Sequence, residues 1–175
     1  MWEGCTPVPT IRVETVINAP IERCFDLARD PDLHARSVAQ TGERVVSRTG
    51  SGLLGLGDVV TFEARHFGVR QRLTARIIRF EPPHLFEDRM VRGAFRSVTH
   101  LHAFERTEAG TRMVDTFAYE APLGPLGALA ARLILTRYLR RLLIARAAFL
   151  KQHAEREHAA SIAQDARRSG AIRER

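Results

Sequence analysis

At 175 residues, 45 % of them hydrophobic, the chain fits a single domain with a genuine core. Its net charge of +7 and pI near 10.8 come almost wholly from arginine, Lys151 being the lone lysine. Arginines set singly at alternate positions (Arg70, Arg72, Arg76) describe a solvated strand face. That pattern argues against nucleic acid and leaves transient contact with an anionic membrane or an acidic protein as the alternative.

No stretch approaches the roughly 18 apolar residues of a membrane span. Met1 to Cys5 shows neither the basic nor the apolar region of a secretory signal. Cys5 and Cys24 lack metal-ligand spacing and read as reduced thiols. A cytoplasmic location is therefore expected.

Residues 1–9 read as a loose lead-in. Thr10 to Ile17 alternates and is rich in β-branched residues, the pattern of a first strand. Asn18-Ala19-Pro20 then opens a short helix, with Asn18 as the expected N-cap and Ile21, Cys24, Phe25 and Ala28 on its apolar side. Asp30-Pro31-Asp32 starts a second short helix ending near Ser37.

Glu43 to Arg48 is the next strand. The glycine-rich run from Gly50 to Asp58 has neither a following helix nor a Lys-Ser/Thr pair, so it reads as a hairpin connection and not a phosphate loop. Val59–His66 and Val69–Phe80 pair about Phe67-Gly68, and His84–Met90 follows the break at Pro82-Pro83. Phe95–Glu105 and Thr111–Glu120 form a last hairpin about Glu108-Ala109-Gly110.

The turn Pro122 to Gly127 announces a closing helix from Leu126 to about His153, about 42 Å long at 1.5 Å per residue. Leu126, Leu129, Ala130, Leu133 and Ile134 mark its apolar stripe, extended by Leu135, Tyr138, Leu139, Leu142, Phe149 and Leu150. Arg137, Arg140 and Arg141 snorkel beside it. Residues 154–175 read as a mobile or frayed helical tail. A sheet of this size cannot bury its inner face alone, so the helix must lie across it. Where the two stand slightly apart, they enclose an apolar cavity.

Side chains alternate along a strand, and each strand offers one inner set. Two sets compete on the strand 95–105: Val98, His100, His102 and Phe104, or Phe95, Ser97, Thr99, Leu101 and Ala103. A short loop at Glu108-Ala109 pairs Phe104 with Met113, and so sets His102 opposite Asp115 and His100 opposite Phe117. A His–Asp pair in an apolar interior satisfies both partners and favours the imidazolium. It can fix the sheet, anchor the polar end of a ligand, or act as general acid and base. His100-x-His102 as a metal site lacks a specified third ligand, since His66 or Asp115 would have to converge, and no metal or cofactor is expected. Ser97 and Thr99 come without a nucleophile elbow, so a hydrolase is not expected. Tyr119 and Tyr138 can each place a phenol at a cavity end.

The order strand, two short helices, six strands and a long helix resembles the helix-grip fold of the START-like, or SRPBCC, superfamily. Its polyketide cyclase/dehydrase-like bacterial branch is matched by Ile17-Asn18-Ala19-Pro20, Gly57-Asp58-Val59-Val60, Pro82-Pro83-His84-Leu85-Phe86-Glu87-Asp88, His100-Leu101-His102-Ala103-Phe104 and Asp115-Thr116-Phe117-Ala118-Tyr119. The resemblance covers about residues 10–153, taken as one ligand-binding domain. It implies an α+β fold, a curved seven-stranded antiparallel sheet wrapped around the long C-terminal helix. It also implies a hydrophobic tunnel lined by Phe62, His66, Phe86, His100, His102, Phe104, Asp115 and Phe117, with Tyr138 from the helix.

The expected function is to bind or carry a small hydrophobic or amphipathic molecule such as a lipid, isoprenoid or polyketide. His102, Asp115 and Tyr119 would orient its polar end, in a monomer or homodimer. The alternative is a cyclase/dehydratase-type enzyme with His102 and Asp115 as its acid/base pair. A third reading is an arginine-rich interaction or membrane-docking module.

Overall fold

The computed structural model describes residues 8–121 and 128–173, with side chains described for 8–121 and 133–169. In chain order the elements are β1 (Thr10–Ile17), α1 (Ile21–Ala28), α2 (Pro31–Ser37), a 3₁₀ turn (Ala39–Thr41), β2 (Arg44–Arg48), β3 (Val59–His66), β4 (Val69–Glu81), β5 (Leu85–Arg92), β6 (Ser97–Thr107), β7 (Gly110–Glu120) and α3 (Ala128–Arg173). Five consecutive hairpins run from β2 to β7, and β1 closes the far side against β7, giving the order β1-β7-β6-β5-β4-β3-β2. Every pairing is antiparallel. Register shifts between Thr74 and Ala75 and between Ile77 and Arg79 bend the 13-residue β4. Such bulges increase local twist and curl a sheet around whatever it covers.

β6 buries Val98, His100, His102 and Phe104, which settles which of its two faces points inward. The β6–β7 register is the one the short loop demands: Phe104 faces Met113, His102 faces Asp115 and His100 faces Phe117. At that loop Gly110 adopts φ +116, and a Cβ there would lie 2.3 Å from the Ile17 carbonyl oxygen. The hairpin tip is thus pressed against the β1–α1 junction, where Thr111 Oγ1 donates to the Ala19 carbonyl at 2.7 Å.

The core has two parts. Around Phe25 of α1, the rings of Phe80, Phe86 and Phe104 lie at 5.5–5.6 Å, with Ile17, Ile21, Met113, Ala147 and Leu150 packed about them. Aromatic rings prefer such tilted and edge-to-face contacts. The second part gathers Ile11, Val98, Tyr119 and Leu143, with Leu135 and Leu139 against it.

Three expectations are corrected. Pro20, not Asn18, occupies the cap position of α1, and no side chain caps it. Asn18 instead donates its backbone N–H to Glu155 at 2.9 Å. Second, α3 does not end near His153 but runs on to Arg173. Ala154 is fully buried, Glu155 holds Asn18 and Lys151, and Glu157 makes a two-pronged contact with Arg23. The residues beyond are mostly good helix formers with no proline to stop them. Third, Leu133 and Ile134 are 61 % and 62 % exposed. The buried line on α3 is Leu143, Ala147, Leu150 and Ala154, with Leu135 and Leu139 partly buried on its extension, and Leu133 and Ile134 fall off it. The Pro122 to Gly127 turn, Leu126, Cys5 and the side chains of Leu129 and Ala130 lie outside the described residues. Among the described residues no helix is long and apolar enough to cross a membrane.

Gly110→Ala should destabilise the chain by about 3 kcal/mol or more, because it adds a close backbone contact to an unfavourable φ. Gly42→Ala, at φ +64 with open space around it, should cost only about 1–2 kcal/mol. Urea unfolding of the two variants checks the difference.

Candidate functional site

Antiparallel register lines up side chains across the sheet in rows. One row on the inner face runs Ile77, Asp88, His100, Phe117 and Ile11. The next runs Phe80, Phe86, His102, Asp115 and Val13. Polar residues therefore occupy the middle of an otherwise apolar face. The polar middle borders a hollow of about 190 Å³ between the sheet and α3. One water needs roughly 10–15 Å³ on this measure, so the space far exceeds a packing defect.

Val60, Phe62, Ala64, Ala75, Ile77 and Val98 contribute apolar wall from the sheet, and Leu139, Leu142 and Leu143 contribute it from α3. Of the residues expected to line it, Phe62, His66, Phe86, His100, His102 and Phe117 do. Phe104, Asp115, Tyr119 and Tyr138 do not. Phe104 is spent on the Phe25 cluster, and Tyr119 bonds Thr136 at 2.6 Å. Tyr138 stands behind His66, its hydroxyl 2.7 Å from Nδ1. Asp115 lies behind His102, 2 % exposed.

His102 is held from both ends. Its Nδ1 is 2.5 Å from Asp115 Oδ1 and its Nε2 is 3.4 Å from Asp88 Oδ2, while Phe86 stacks on its face at 4.3 Å. A ring with both nitrogens aimed at carboxylate oxygens satisfies both only by donating twice. Burial pushes the Asp115 carboxyl up, but the His102 charge and the neighbouring imidazoles outweigh it, so it titrates well below the usual range. Asp88 is lowered in the same way: burial opposes, while His102, His100 and the Arg146 charge prevail.

His100 goes the other way. Burial, then the charge on His102, push its pKa down to about 4 against the pull of both carboxylates. Its Nε2 lies 3.4 Å from Asp115 Oδ1 yet makes no hydrogen bond. At neutral pH this buried ring is uncharged.

Two wall residues escaped the reading of the sequence as site residues. Asp88 joins the site through the β5–β6 register, directly opposite His100. Arg146 of α3 is 7 % exposed and lines the hollow. Its Nη2 donates to the Ala28 carbonyl at 3.1 Å, and its Nη1 has no partner. The available signal was an arginine standing four residues from both Leu142 and Leu150 on the apolar stripe itself.

Asp88, His100 and His102 also bring ligand-type atoms within 4.8 Å of one another. The Arg146 charge acts on Asp88 and opposes a second cation there, so we assign no metal to this group. The outer face of the sheet carries the arginines. Arg44 and Arg72 both bond Glu63, whose carboxyl they pull down to about 2.

Residues 9–155 match the model of the family described as polyketide cyclase/dehydrase and lipid transport. The chain belongs to this family. Solved structures with the same fold include the ZhuI aromatase/cyclase of a Streptomyces species, at TM-score 0.68 and 16 % identity, covering 86 % of this chain and 95 % of that one. A Thermus thermophilus protein superposes at TM-score 0.62 and 22 % identity over 81 % of this chain and 97 % of its own. A Chromobacterium violaceum protein does so at 0.64 and 15 %, over 85 % and 99 %. No curated protein matches the chain in sequence. At these identities the neighbours speak for the helix-grip fold.

His100 gives the site a pH signature. Its folded pKa is below its unfolded value near 6.5, so between those two values only the unfolded chain binds the proton. Stability from this group is complete above pH 6.5 and falls as pH drops toward 4, by roughly 3 kcal/mol in all. His100→Asn should shrink the fall in urea-unfolding stability between pH 6.5 and 4.5 by about 2 kcal/mol. What remains is the same-signed slope from His66, which burial also lowers, and from Glu14, Glu63, Glu155 and Glu157, whose hydrogen-bonding partners hold them below the usual carboxylate range.

Proposed function

We propose that the chain binds a small hydrophobic or amphipathic molecule in the hollow, its apolar body between β3–β5 and α3 and its polar end at Asp88, His100, His102 and Arg146. The observation that carries this reading is the distribution of polarity. The wall is apolar except for that cluster and a second polar set, Arg29, Asp30, His34, Glu43, His66, Gln71 and Arg72. A hollow of this kind stays open only where filling it with side chains has no partner in the sequence, and an apolar guest recovers the lost contacts. Lipid, isoprenoid and polyketide-like molecules all fit the description, and the family description includes both cyclisation and lipid transport.

The neutral fluorophore N-phenyl-1-naphthylamine should bind and be displaced by apolar competitors. Ala75→Phe, which fills the hollow from a wall position, should weaken the probe by about tenfold or more while the chain stays folded. Unchanged probe affinity in folded Ala75→Phe would sink the reading.

One observation favours a second reading, an enzyme of the cyclase/dehydratase kind. Asp88, an ionised carboxylate, sits 3.4 Å from a ring nitrogen able to donate a proton, and both face the hollow. On a β-hydroxyketone, Asp88 would take the α-proton while His102 protonates the departing hydroxyl, releasing water and leaving the enone. Asp115 would then position His102 and not touch the substrate. With a β-hydroxyketone test substrate, His102→Gln should lose enone formation by about 10²-fold or more and keep probe binding. No enone formation by the wild-type chain would remove the enzyme, and turnover retained in His102→Gln would remove His102 as its acid.

A further inference from the structure

The wall of the hollow contains a guanidinium with donors to spare. Arg146 is 7 % exposed, makes one bond to the Ala28 carbonyl, and leaves Nη1 without a partner. Among the described residues no carboxylate comes within ion-pairing distance of it. A buried donor left unpaired costs about 1–3 kcal/mol, and more when charged. An arginine cannot shed its proton to escape that cost. His100 Nε2, also on this wall, is a second buried nitrogen without a hydrogen bond.

Charge decides what partner these nitrogens accept. Asp88 and Asp115 are negative, Arg146 is positive, His100 is neutral, and His102 supplies the second positive charge when it donates to both carboxylates. The cluster is balanced as it stands. An anionic ligand group would bring this cluster to a net negative charge beside Asp88 and the buried Asp115. A neutral oxygen acceptor satisfies Arg146 without disturbing the balance.

We propose that the hollow selects ligands whose buried end is an uncharged carbonyl oxygen bound by Arg146, and disfavours carboxylates and phosphates of the same shape. This rests on the binding reading above and narrows it: Arg146 sets specificity, and free fatty acids and phosphorylated isoprenoids are the excluded class.

Three probes of one shape test it by isothermal titration calorimetry on the full chain at pH 7.5: 2-acetylnaphthalene, 2-ethylnaphthalene and 2-naphthoate. The ketone should bind about tenfold or more tighter than either of the others, since a site built to bond an oxygen rejects the analogue lacking it. Arg146→Met should erase the advantage of the ketone over 2-ethylnaphthalene and leave the affinity for 2-ethylnaphthalene within about threefold. Naphthoate binding as tightly as the ketone would overturn the proposal, as would equal affinity for ketone and hydrocarbon. The wild-type ranking decides even if Arg146→Met does not fold. Binding of 2-ethylnaphthalene without preference for the ketone removes this inference alone, whereas failure of all three probes removes the binding reading with it.

Discussion

A buried aspartate and a half-buried one on the same face of a sheet must be given compensating charge, and the way this chain does so organises its interior. Asp115 and Asp88 lie on neighbouring rows, and a single imidazole, His102, spans the diagonal between them. Buried ions left unpaired are expensive enough that the pairing geometry must be held firmly. Here it is held by the β5–β6–β7 register and by the stacked ring of Phe86. Moving any one of these three strands by one residue would turn that strand's members of the set outward and break the pairing.

The same constraint explains why the hollow persists. Polar side chains committed to each other cannot swing inward to fill space, and His100 is wedged between His102, at 3.9 Å, and Phe117, at 5.2 Å. On the opposite wall Arg146 is tethered to the end of α1 through Ala28. Apolar residues fill the flanks, where Phe25 supports one side and Tyr119 the other. Between these supports Phe62, Phe86 and Phe117 of the sheet and Leu139, Leu142 and Leu143 of α3 line the gap without filling it.

Much of this was legible in the sequence because it followed from local rules. The two-residue turn at Glu108-Ala109 fixes the β6–β7 pairing, and with it the meeting of His102 and Asp115. Alternation located the strands, and proline with aspartate located α2, whose cap is the Asp30 side chain. What stayed hidden depended on longer connections. Asp88 reaches His102 only through the β5–β6 register, which no short turn dictates. Arg146 was hidden by a sound generalisation, that arginines on an apolar helix face reach for water. It fails where the helix is covered on that side by α1 and the side chain finds a carbonyl first. The exposure of Leu133 and Ile134 reflects phase: over 46 residues a small error in the assumed face carries positions out of the stripe.

The fastening of α3 is uneven along its length. Around Lys151, Glu155 and Glu157 it is bolted by charged contacts to the corner where β1 turns into α1. The stretch over the hollow is held instead by uncharged contacts, the packing of Leu135, Leu139 and Leu143 and the hydroxyl bonds of Thr136 to Tyr119 and of Tyr138 to His66. Raised ionic strength would therefore weaken the seating at that corner while leaving the uncharged contacts over the hollow in place.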